Sequence, residues 1–283
     1  MGFKISPSDR VSIVGKTGSG KTYLARRLLA GMAREAKKLP FYYPIIILDN
    51  KGRLETFRGF GKRIRKLKAL RQALVSSTPI ITYSPEEGEQ NEKYYTGFFD
   101  FLYNLNMPML VYVDELALVG TGNDMPESYE KFMKQGRERM QSLWAATQNP
   151  VFVAHDFFSN ADHFFIFDLL LETDRNKMAA FAGAPVKERP EEKHGFWYFS
   201  TNSRNPEYFS NKLDTNKLMK ENETRNLNED EGGQLSVKTK WIMSILVLGL
   251  VMVFVLPLWK KAFQFMGEKI PATAPIANFT QEA

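Results

Sequence analysis

The sequence predicts an α/β fold built on a mostly parallel sheet, with one membrane-spanning helix near the C-terminus. Short apolar runs alternate with charged amphipathic stretches along the first 200 residues, which is typical of strands separated by helices in a parallel sheet covered on both faces. A glycine-rich turn joins the first run to the first amphipathic stretch, and a late segment of 19 residues carries no charge. The predicted strands are RVSIV, YPIIILD, TPIITY, MLVYVDE, SLWAATQ, HFFIFDL and GFWYFS, and the predicted helices are KTYLARRLLAGMAREAKKL, GKRIRKLKALRQALV and PESYEKFMKQGRERM.

The uncharged segment from Trp241 to Trp259 predicts a membrane span. At about 1.5 Å per residue such a helix covers roughly 28 Å, and tryptophans at both ends suit the two membrane interfaces. Two lysines lie just outside each end, so the positive-inside rule does not predict its orientation. The chain is therefore expected to divide into a body (1–220), an acidic flexible linker (221–240), the span (241–259) and a short tail (260–283).

The composition limits the chemistry and indicates a class of partner. The chain has no cysteine, which excludes a disulfide framework and a thiolate metal site. Its net charge is +6; residues 221–233 contain one arginine and five acids, and residues 234–283 contain five lysines and two acids, which leaves +7 on residues 1–220. A positive body is typical of proteins that bind a polyanion or an anionic membrane surface.

The glycine-rich turn has the spacing of a phosphate-binding loop. The sequence GKTGSGKT matches G-x-x-x-x-G-K-[ST], follows a predicted strand and opens a predicted helix, as this motif requires. The glycines let backbone N–H groups turn toward a polyphosphate, Lys21 can reach the β and γ phosphates of ATP, and the Thr22 hydroxyl can bind Mg²⁺. The predicted nucleotide-binding residues are Gly15, Lys16, Thr17, Gly18, Ser19, Gly20, Lys21 and Thr22.

Two acids and a glutamine supply what hydrolysis needs in addition to binding. Asp114 ends the apolar run MLVYV and Glu115 follows it, so Asp114 is the predicted second Mg²⁺ ligand and Glu115 the predicted general base. Gln148 ends the run SLWAAT. Because ligands bind at the carboxyl ends of parallel strands, Gln148 is expected near the acids, where it can sense the γ-phosphate or the attacking water.

Six segments in order resemble the motor domain of the FtsK/HerA superfamily of DNA-translocating ATPases, over roughly residues 9–200. The resemblance implies a RecA-like P-loop NTPase core, usually assembled as a hexameric ring, that hydrolyses ATP and moves DNA through a central channel. It also implies that Glu115 is the catalytic glutamate and that Gln148 is the glutamine of the family's ATQ element. The segments are IVGKTGSGKT, IIILDNKG, LVYVDEL, GRERMQSLWAATQNP, SNADHFFIF and TDRNKMAAFAG.

Two further features of the family find matches here. A neighbouring subunit contributes an arginine to the catalytic site in this family, and Arg137 is the best positional match, with Arg139 as the alternative. Such an arginine stabilises the γ-phosphate charge in the transition state. Asp49 matches the acid of the family's DPKG strand end, but Asn50 stands where proline is usual.

The most basic stretch, residues 61–74, is predicted as a helix with one apolar face. Its apolar residues recur every three or four positions, so the other faces carry the cations. These cations are compatible with a DNA backbone contact, a contact with anionic lipid, or a solvated helix surface. They are Lys62, Arg63, Arg65, Lys66, Lys68 and Arg71.

Size and layout favour a viral genome-packaging ATPase within the superfamily. The C-terminal span would suit a virus with an internal membrane, with capsid or portal-vertex proteins as partners. The expected location is a single-pass membrane position, with the ATPase domain on the cytoplasmic side of the host membrane or at the virion internal membrane. Two alternatives remain: a filamentous-phage assembly ATPase of the zonula occludens toxin-like family, and a nucleotide-regulated membrane scaffold that moves nothing.

Overall fold

The described part of the protein is one mostly parallel sheet. The structure, a computed structural model, describes residues 3–51, 57–121 and 125–210, which belong to one compact unit. Each of the seven runs predicted as strands contains a strand, and two further short strands extend the sheet. The nine strands are β1 (Val11–Val14), β2 (Ile45–Leu48), β3 (Lys62–Ile64), β4 (Ile80–Tyr83), β5 (Met109–Val113), β6 (Gln141–Thr147), β7 (His163–Ile166), β8 (Phe196–Ser200) and β9 (Glu207–Phe209).

The strand order places the glycine-rich turn in the interior of the sheet. The order is β3-β4-β2-β5-β6-β1-β7-β8-β9. The seven strands β1 to β7 are parallel to one another, whereas β8 and β9 are antiparallel to their neighbours. The carboxyl ends of β5, β6, β1 and β7 therefore lie side by side on one edge of the sheet. The predicted α/β fold with a mostly parallel sheet is confirmed.

Two apolar cores, one on each face, hold the sheet between helices. Successive strand residues point to opposite faces, so Ile13 packs with α1 in one core and Val14 packs in the other with residues of α2 to α6. All five residues of β5 are buried, as expected for a central strand covered on both sides. The helices are α1 (Lys21–Ala36), α2 (Leu67–Val75), α3 (Glu92–Asn104), α4 (Glu127–Gln135), α5 (His155–Ser159) and α6 (Glu172–Ala182).

The helix predicted over residues 61–75, which contains the basic stretch, is divided between a strand and a shorter helix. Residues 62–64 form the edge strand β3, paired in parallel with β4, and α2 begins only at Leu67. The apolar period of three and four continues through Ile64, so the pattern alone does not separate the two elements. Backbone pairing with β4, the strand next to residues 62–64 in the sheet, decides the conformation of this segment.

The third predicted helix is also shorter than its sequence pattern. Helix α4 ends at Gln135 and a 3-10 turn follows over Gly136–Arg139. A Cβ at Gly136 would lie 2.9 Å from the carbonyl oxygen of Gln141. The turn therefore packs directly against the first residue of β6. Met140 adopts a left-handed conformation (φ 53°) at this corner.

The predicted linker (221–240), span (241–259) and tail (260–283) lie outside the described residues. Among the residues that the structure does describe, no helix is both long enough and apolar enough to cross a bilayer. The membrane span thus stays a prediction from the sequence.

Candidate active site

The glycine-rich loop is fixed between the ends of two strands. It runs from β1 to α1, and the neighbours of β1 are β6 and β7. The backbone N–H of Gly15 donates to the carbonyl oxygen of Thr147 at 3.2 Å, and that of Lys16 donates to the carbonyl oxygen of Asp168 at 2.8 Å. The loop thus lies at the carboxyl edge of the sheet, where parallel α/β sheets bind their ligands.

All three glycines of the loop have positive φ angles that other residues rarely adopt. Gly15 has φ 152°, and a Cβ there would lie 2.5 Å from the Cβ of Phe167. Gly20, with φ 109°, is the N-cap of α1. These conformations are the physical reason why the motif needs glycine at these positions, and they open α1 with its N–H groups toward the loop.

Lys21 is the buried cation of the loop. Its Nζ donates to the carbonyl oxygen of Gly15 and, at 2.8 Å, to that of Lys16. Burial, together with the positive charge of Lys51, lowers the pKa of Lys21 to about 8. The ammonium is therefore held beside backbone N–H groups at a helix N-terminus, an arrangement that binds phosphate.

The two predicted acids follow β5 and are almost fully buried. Asp114 is 1% exposed and Glu115 5%. Burial raises the pKa of Asp114, while the nearby Lys51 lowers it. The Nζ atom of Lys51 lies 3.5 Å from Asp114 Oδ2 and 3.2 Å from Glu115 Oε2. One lysine thus offsets the charge of both carboxylates.

Gln148 connects the acids to the phosphate-binding loop. Its backbone N–H donates to Glu115 Oε1 at 3.0 Å, and its side-chain Oε1 accepts a hydrogen bond from the Thr17 hydroxyl at 2.5 Å. The structure therefore brings Lys21, Glu115 and Gln148 together at the ends of three neighbouring strands, β1, β5 and β6. Glu115, rather than Asp114, is the acid that Gln148 contacts directly.

Asp114 fits the role of a Mg²⁺ ligand. Its Oδ2 atom is buried and accepts no hydrogen bond, and carboxylate oxygens are the protein ligands that Mg²⁺ prefers. Thr22 is half-buried in the first turn of α1, on the same edge of the sheet. Thr22 and Asp114 remain the predicted residues that would hold the metal.

Lys51 and Asn50 belong to the site although the sequence did not reveal their roles. The amide of Asn50 donates to the carbonyl oxygen of Glu115 at 2.6 Å, so this residue, which stands where the family usually has proline, fixes the backbone of the predicted base. Asp49 is fully buried and binds Arg63 at 2.9 Å. The signal for Lys51 was its place three residues after the end of strand β2, which also ends at this edge.

The structure does not bring Arg137 near the phosphate-binding loop of its own chain. Arg137 precedes β6, whereas Gln148 follows it, and a strand of seven residues spans roughly 23 Å. Arg137 contacts both carboxylate oxygens of Asp162, at 2.5 and 2.6 Å. Arg139 lies at the same edge, with its guanidinium 4.3 Å from the centre of the Tyr103 ring. Neither arginine can act on its own site.

Comparison with known families now assigns the chain. The family described as "Helicase HerA, central domain" matches residues 7–230 of the 283. The chain belongs to this family. The HerA match confirms the resemblance to the FtsK/HerA superfamily that the sequence motifs indicated. A search of curated proteins found no match.

Solved structures show which proteins share the fold of this HerA-family chain. The genome packaging NTPase B204 from Sulfolobus turreted icosahedral virus 2, in complex with AMPPCP, superposes with a TM-score of 0.61 at 16% identity, over 74% of this chain and 100% of that one. VirB4 of Thermoanaerobacter pseudethanolicus gives 0.53 at 12% identity, over 76% and 94%. The pCW3 conjugation coupling protein TcpA, with ATPγS, gives 0.52 at 15% identity, over 78% and 67%. At these identities the likeness shows a shared fold.

Proposed function

We propose that this chain is an ATPase that translocates DNA. The observation that carries the proposal is the pair of hydrogen bonds that connects Glu115 Oε1, through Gln148, to Thr17 of the phosphate-binding loop. A loop with this spacing binds nucleotide, and the buried acid pair beside it adds the means of hydrolysis. Membership of the HerA family and the fold shared with the packaging NTPase B204 support the same function.

In the proposed hydrolysis of ATP, each residue of the site has a separate role. Lys21 and the N-terminus of α1 hold the phosphates, and a bound Mg²⁺ would neutralise charge that develops on them. Gln148 fixes Glu115 Oε1, which leaves Oε2 to accept the proton of the attacking water. Lys51 Nζ lies 3.2 Å from Oε2 and offsets the negative charge of this carboxylate.

A basic surface supports DNA as the partner. No acidic residue occurs between Phe57 and Pro85, and the exposed cations lie along β3 and the start of α2. The apolar face of α2, which includes Leu70 and Leu74, is packed in the core, so this helix cannot insert that face into a bilayer as lipid-binding helices do. A rigid array of cations without an apolar anchor suits a phosphate backbone. We call the exposed residues Arg58, Lys62, Arg65, Lys66, Lys68 and Arg71 the basic surface.

The finer proposal is a membrane-anchored motor that packages a viral genome. The fold shared with B204 supports packaging, and the uncharged segment 241–259 supports the anchor. The position of Arg137 supports a ring of identical subunits, since this residue could reach a phosphate-binding loop only in a neighbouring copy. In a head-to-tail ring, the edge of the sheet that carries Arg137 in one subunit would face the edge that carries the phosphate-binding loop in the next subunit.

The experiment measures the ATPase rate of the full chain in detergent, with and without duplex DNA, across a salt series. Duplex DNA should stimulate the wild type, and the stimulation should fall steeply as salt rises. The triple variant K62E/K66E/K68E should lose the stimulation and keep the basal rate. The variant K4E/K37E/K93E makes the same change of charge at exposed lysines elsewhere and should retain it.

Two outcomes would contradict the proposal. Hydrolysis that does not respond to DNA in the wild type would favour the membrane scaffold over a motor. Equal losses in the two triple variants would show that net charge, rather than the basic surface, attracts the DNA. Anionic vesicles added in place of DNA provide the lipid comparison, and we expect them to leave the rate unchanged.

A further inference from the structure

The turn that precedes β8 lies beside the phosphate-binding loop. Strand β8 is antiparallel to β7, and its residue Trp197 pairs with Ile166 at the carboxyl end of β7. The residues just before β8 therefore reach the edge of the sheet where β1 also ends. We call residues 188–195 the β8 turn.

Long-range contacts hold the β8 turn in one conformation. The indole N–H of Trp197 donates to the carbonyl oxygen of Glu188 at 2.9 Å, and the backbone N–H of Glu192 donates to the Tyr208 hydroxyl at 3.1 Å. A Cβ on Gly195 would lie 2.5 Å from that hydroxyl, so β9 packs directly against the turn. Strands β8 and β9 thus serve as a support for this segment.

Two side chains of the turn are placed against the loop. Arg189 makes two hydrogen bonds to Asp168, at 2.6 and 2.8 Å, and Asp168 forms an ion pair with Lys16 of the loop at 2.5 Å. The ring of His194 lies on Gly20, because a Cβ on that glycine would be 3.4 Å from His194 Nδ1. Both Arg189 and His194 are exposed to solvent on their other side.

The backbone of His194 is strained. Its φ of 69° is a left-handed conformation that residues other than glycine seldom adopt, and such strain is concentrated at functional sites. The supporting contacts of Glu188 and Glu192 maintain it. The result is an imidazole held over the N-cap of α1.

The direction of a bound nucleotide follows from the order of the strands. Glu115 and Gln148 lie on the β6 side of β1, so the γ-phosphate points to that side. A nucleoside triphosphate is an extended molecule, and its nucleoside must leave the loop on the opposite side, toward β7 and β8. The β8 turn lies on that side.

We propose that the β8 turn is the nucleoside subsite, where the His194 imidazole and the Arg189 guanidinium contact the base and ribose of the nucleotide. This inference rests on the proposed function, in which the loop binds a nucleoside triphosphate. Imidazole and guanidinium planes stack on the flat faces of bases. The N–H groups of the Arg189 guanidinium can remain hydrogen-bonded to Asp168 while its flat face stacks on the base. Such stacking adds affinity for a nucleoside and none for a bare phosphate chain.

The test compares two probes, ATP and inorganic tripolyphosphate, by calorimetric titration of the full chain. The variant H194G removes the ring, and glycine adopts a φ of 69° without strain, so the turn should keep its shape. We expect H194G to bind ATP about 5- to 20-fold more weakly and tripolyphosphate as tightly as the wild type. H194N, which also tolerates the left-handed region, is the second variant. H155A changes an exposed histidine whose ring contacts Phe181 of α6 at a tilted angle and should alter neither affinity.

The outcomes distinguish a failure of the proposed nucleoside subsite from a failure of the proposed function. Equal weakening of both probes in H194G, or ATP binding that does not change, would overturn the subsite and leave the phosphate-binding loop intact. A wild-type chain that binds neither probe would overturn the proposed function and the subsite with it. The variant K21A provides the reference, because it should weaken both probes together.

Discussion

The backbone N–H of Gln148 lies 3.0 Å from Oε1 of Glu115 and donates a hydrogen bond to it. The two residues are 33 positions apart and follow neighbouring strands, β6 and β5. Because the donor belongs to the backbone, the orientation of the carboxylate does not depend on a side-chain rotamer of Gln148. The bond also shows which oxygen of Glu115 remains to contact water.

The first prediction concerns Glu115 as the general base. E115Q keeps an oxygen that can accept the Gln148 hydrogen bond but removes the group that takes up a proton, so nucleotide binding should persist. Steady-state hydrolysis should fall by a factor of about 100 or more. Calorimetric ATP binding and phosphate release measure the two effects. Wild-type turnover in E115Q would contradict the role, and K21A, which should lose affinity as well, separates binding from chemistry.

The second prediction concerns Arg137 and the ring. Subunits that carry R137A lack the arginine, and subunits that carry E115Q lack the base, so neither should hydrolyse ATP alone. Mixed rings contain interfaces at which an intact Glu115 meets an intact Arg137 from the neighbour. We therefore expect the mixture to recover part of the wild-type rate. The measurement is the ATPase rate as a function of mixing ratio.

Arg139 is the matched control for this experiment. It lies at the same edge as Arg137 but stacks on Tyr103, so R139A should retain more activity than R137A. If Arg139 is the trans-acting residue, the rescue will appear with R139A instead. Folded, oligomeric variants that show no rescue at any ratio would contradict a trans-acting arginine.

The third prediction concerns Asp168 and acid stability. Its hydrogen bonds from Arg189, together with the nearby Lys16, lower its pKa to about 2, below the value of about 3.9 for an unfolded chain. A lowered carboxyl pKa stabilises the fold above the unfolded value, and this contribution is lost as the pH falls from about 4 to about 2. Because Arg189 is half exposed, we expect a contribution of about 1 kcal/mol.

The measurement is the urea midpoint of wild type and D168N as a function of pH. The wild type should be the more stable above pH ~5, and the two curves should converge toward pH ~2. A difference that is constant across this range would show that D168N acts through lost packing or hydrogen bonding rather than through ionisation. R189A should reproduce part of the same pH dependence.

The fourth prediction connects the anchor to the motor. Removal of residues 234–283 should release a soluble ATPase that DNA stimulates, because each predicted catalytic residue lies between Gly15 and Gln148. Particles assembled with the truncated chain should nevertheless be empty, since a motor that is not held at the membrane cannot push DNA against a fixed vertex. Counts of filled and empty particles test this. Filled particles would show that the segment from Trp241 to Trp259 is dispensable for packaging.

Local patterns were sufficient for much of the fold. Each predicted strand run contains a strand, because most of these strands are buried on both faces and form continuous apolar runs that end at polar residues. The helix that follows the phosphate-binding loop was also predicted, since it begins at the motif itself. The pattern failed at 62–64, where the helical period continues into a segment that pairs with β4, and at Gly136, where the chain turns beneath β6.

The phosphate-binding loop, the acid pair and the strand ends that carry them could be predicted from the sequence, because each depends on neighbours within a few residues. Only the fold shows the strand order, and with it three relationships: Lys51 between the two acids, Arg137 at the far edge from its own loop, and the β8 turn against Gly20. Each of these joins residues far apart in the chain. Such contacts arise from the packing of the sheet and helices, and no local period or spacing encodes them.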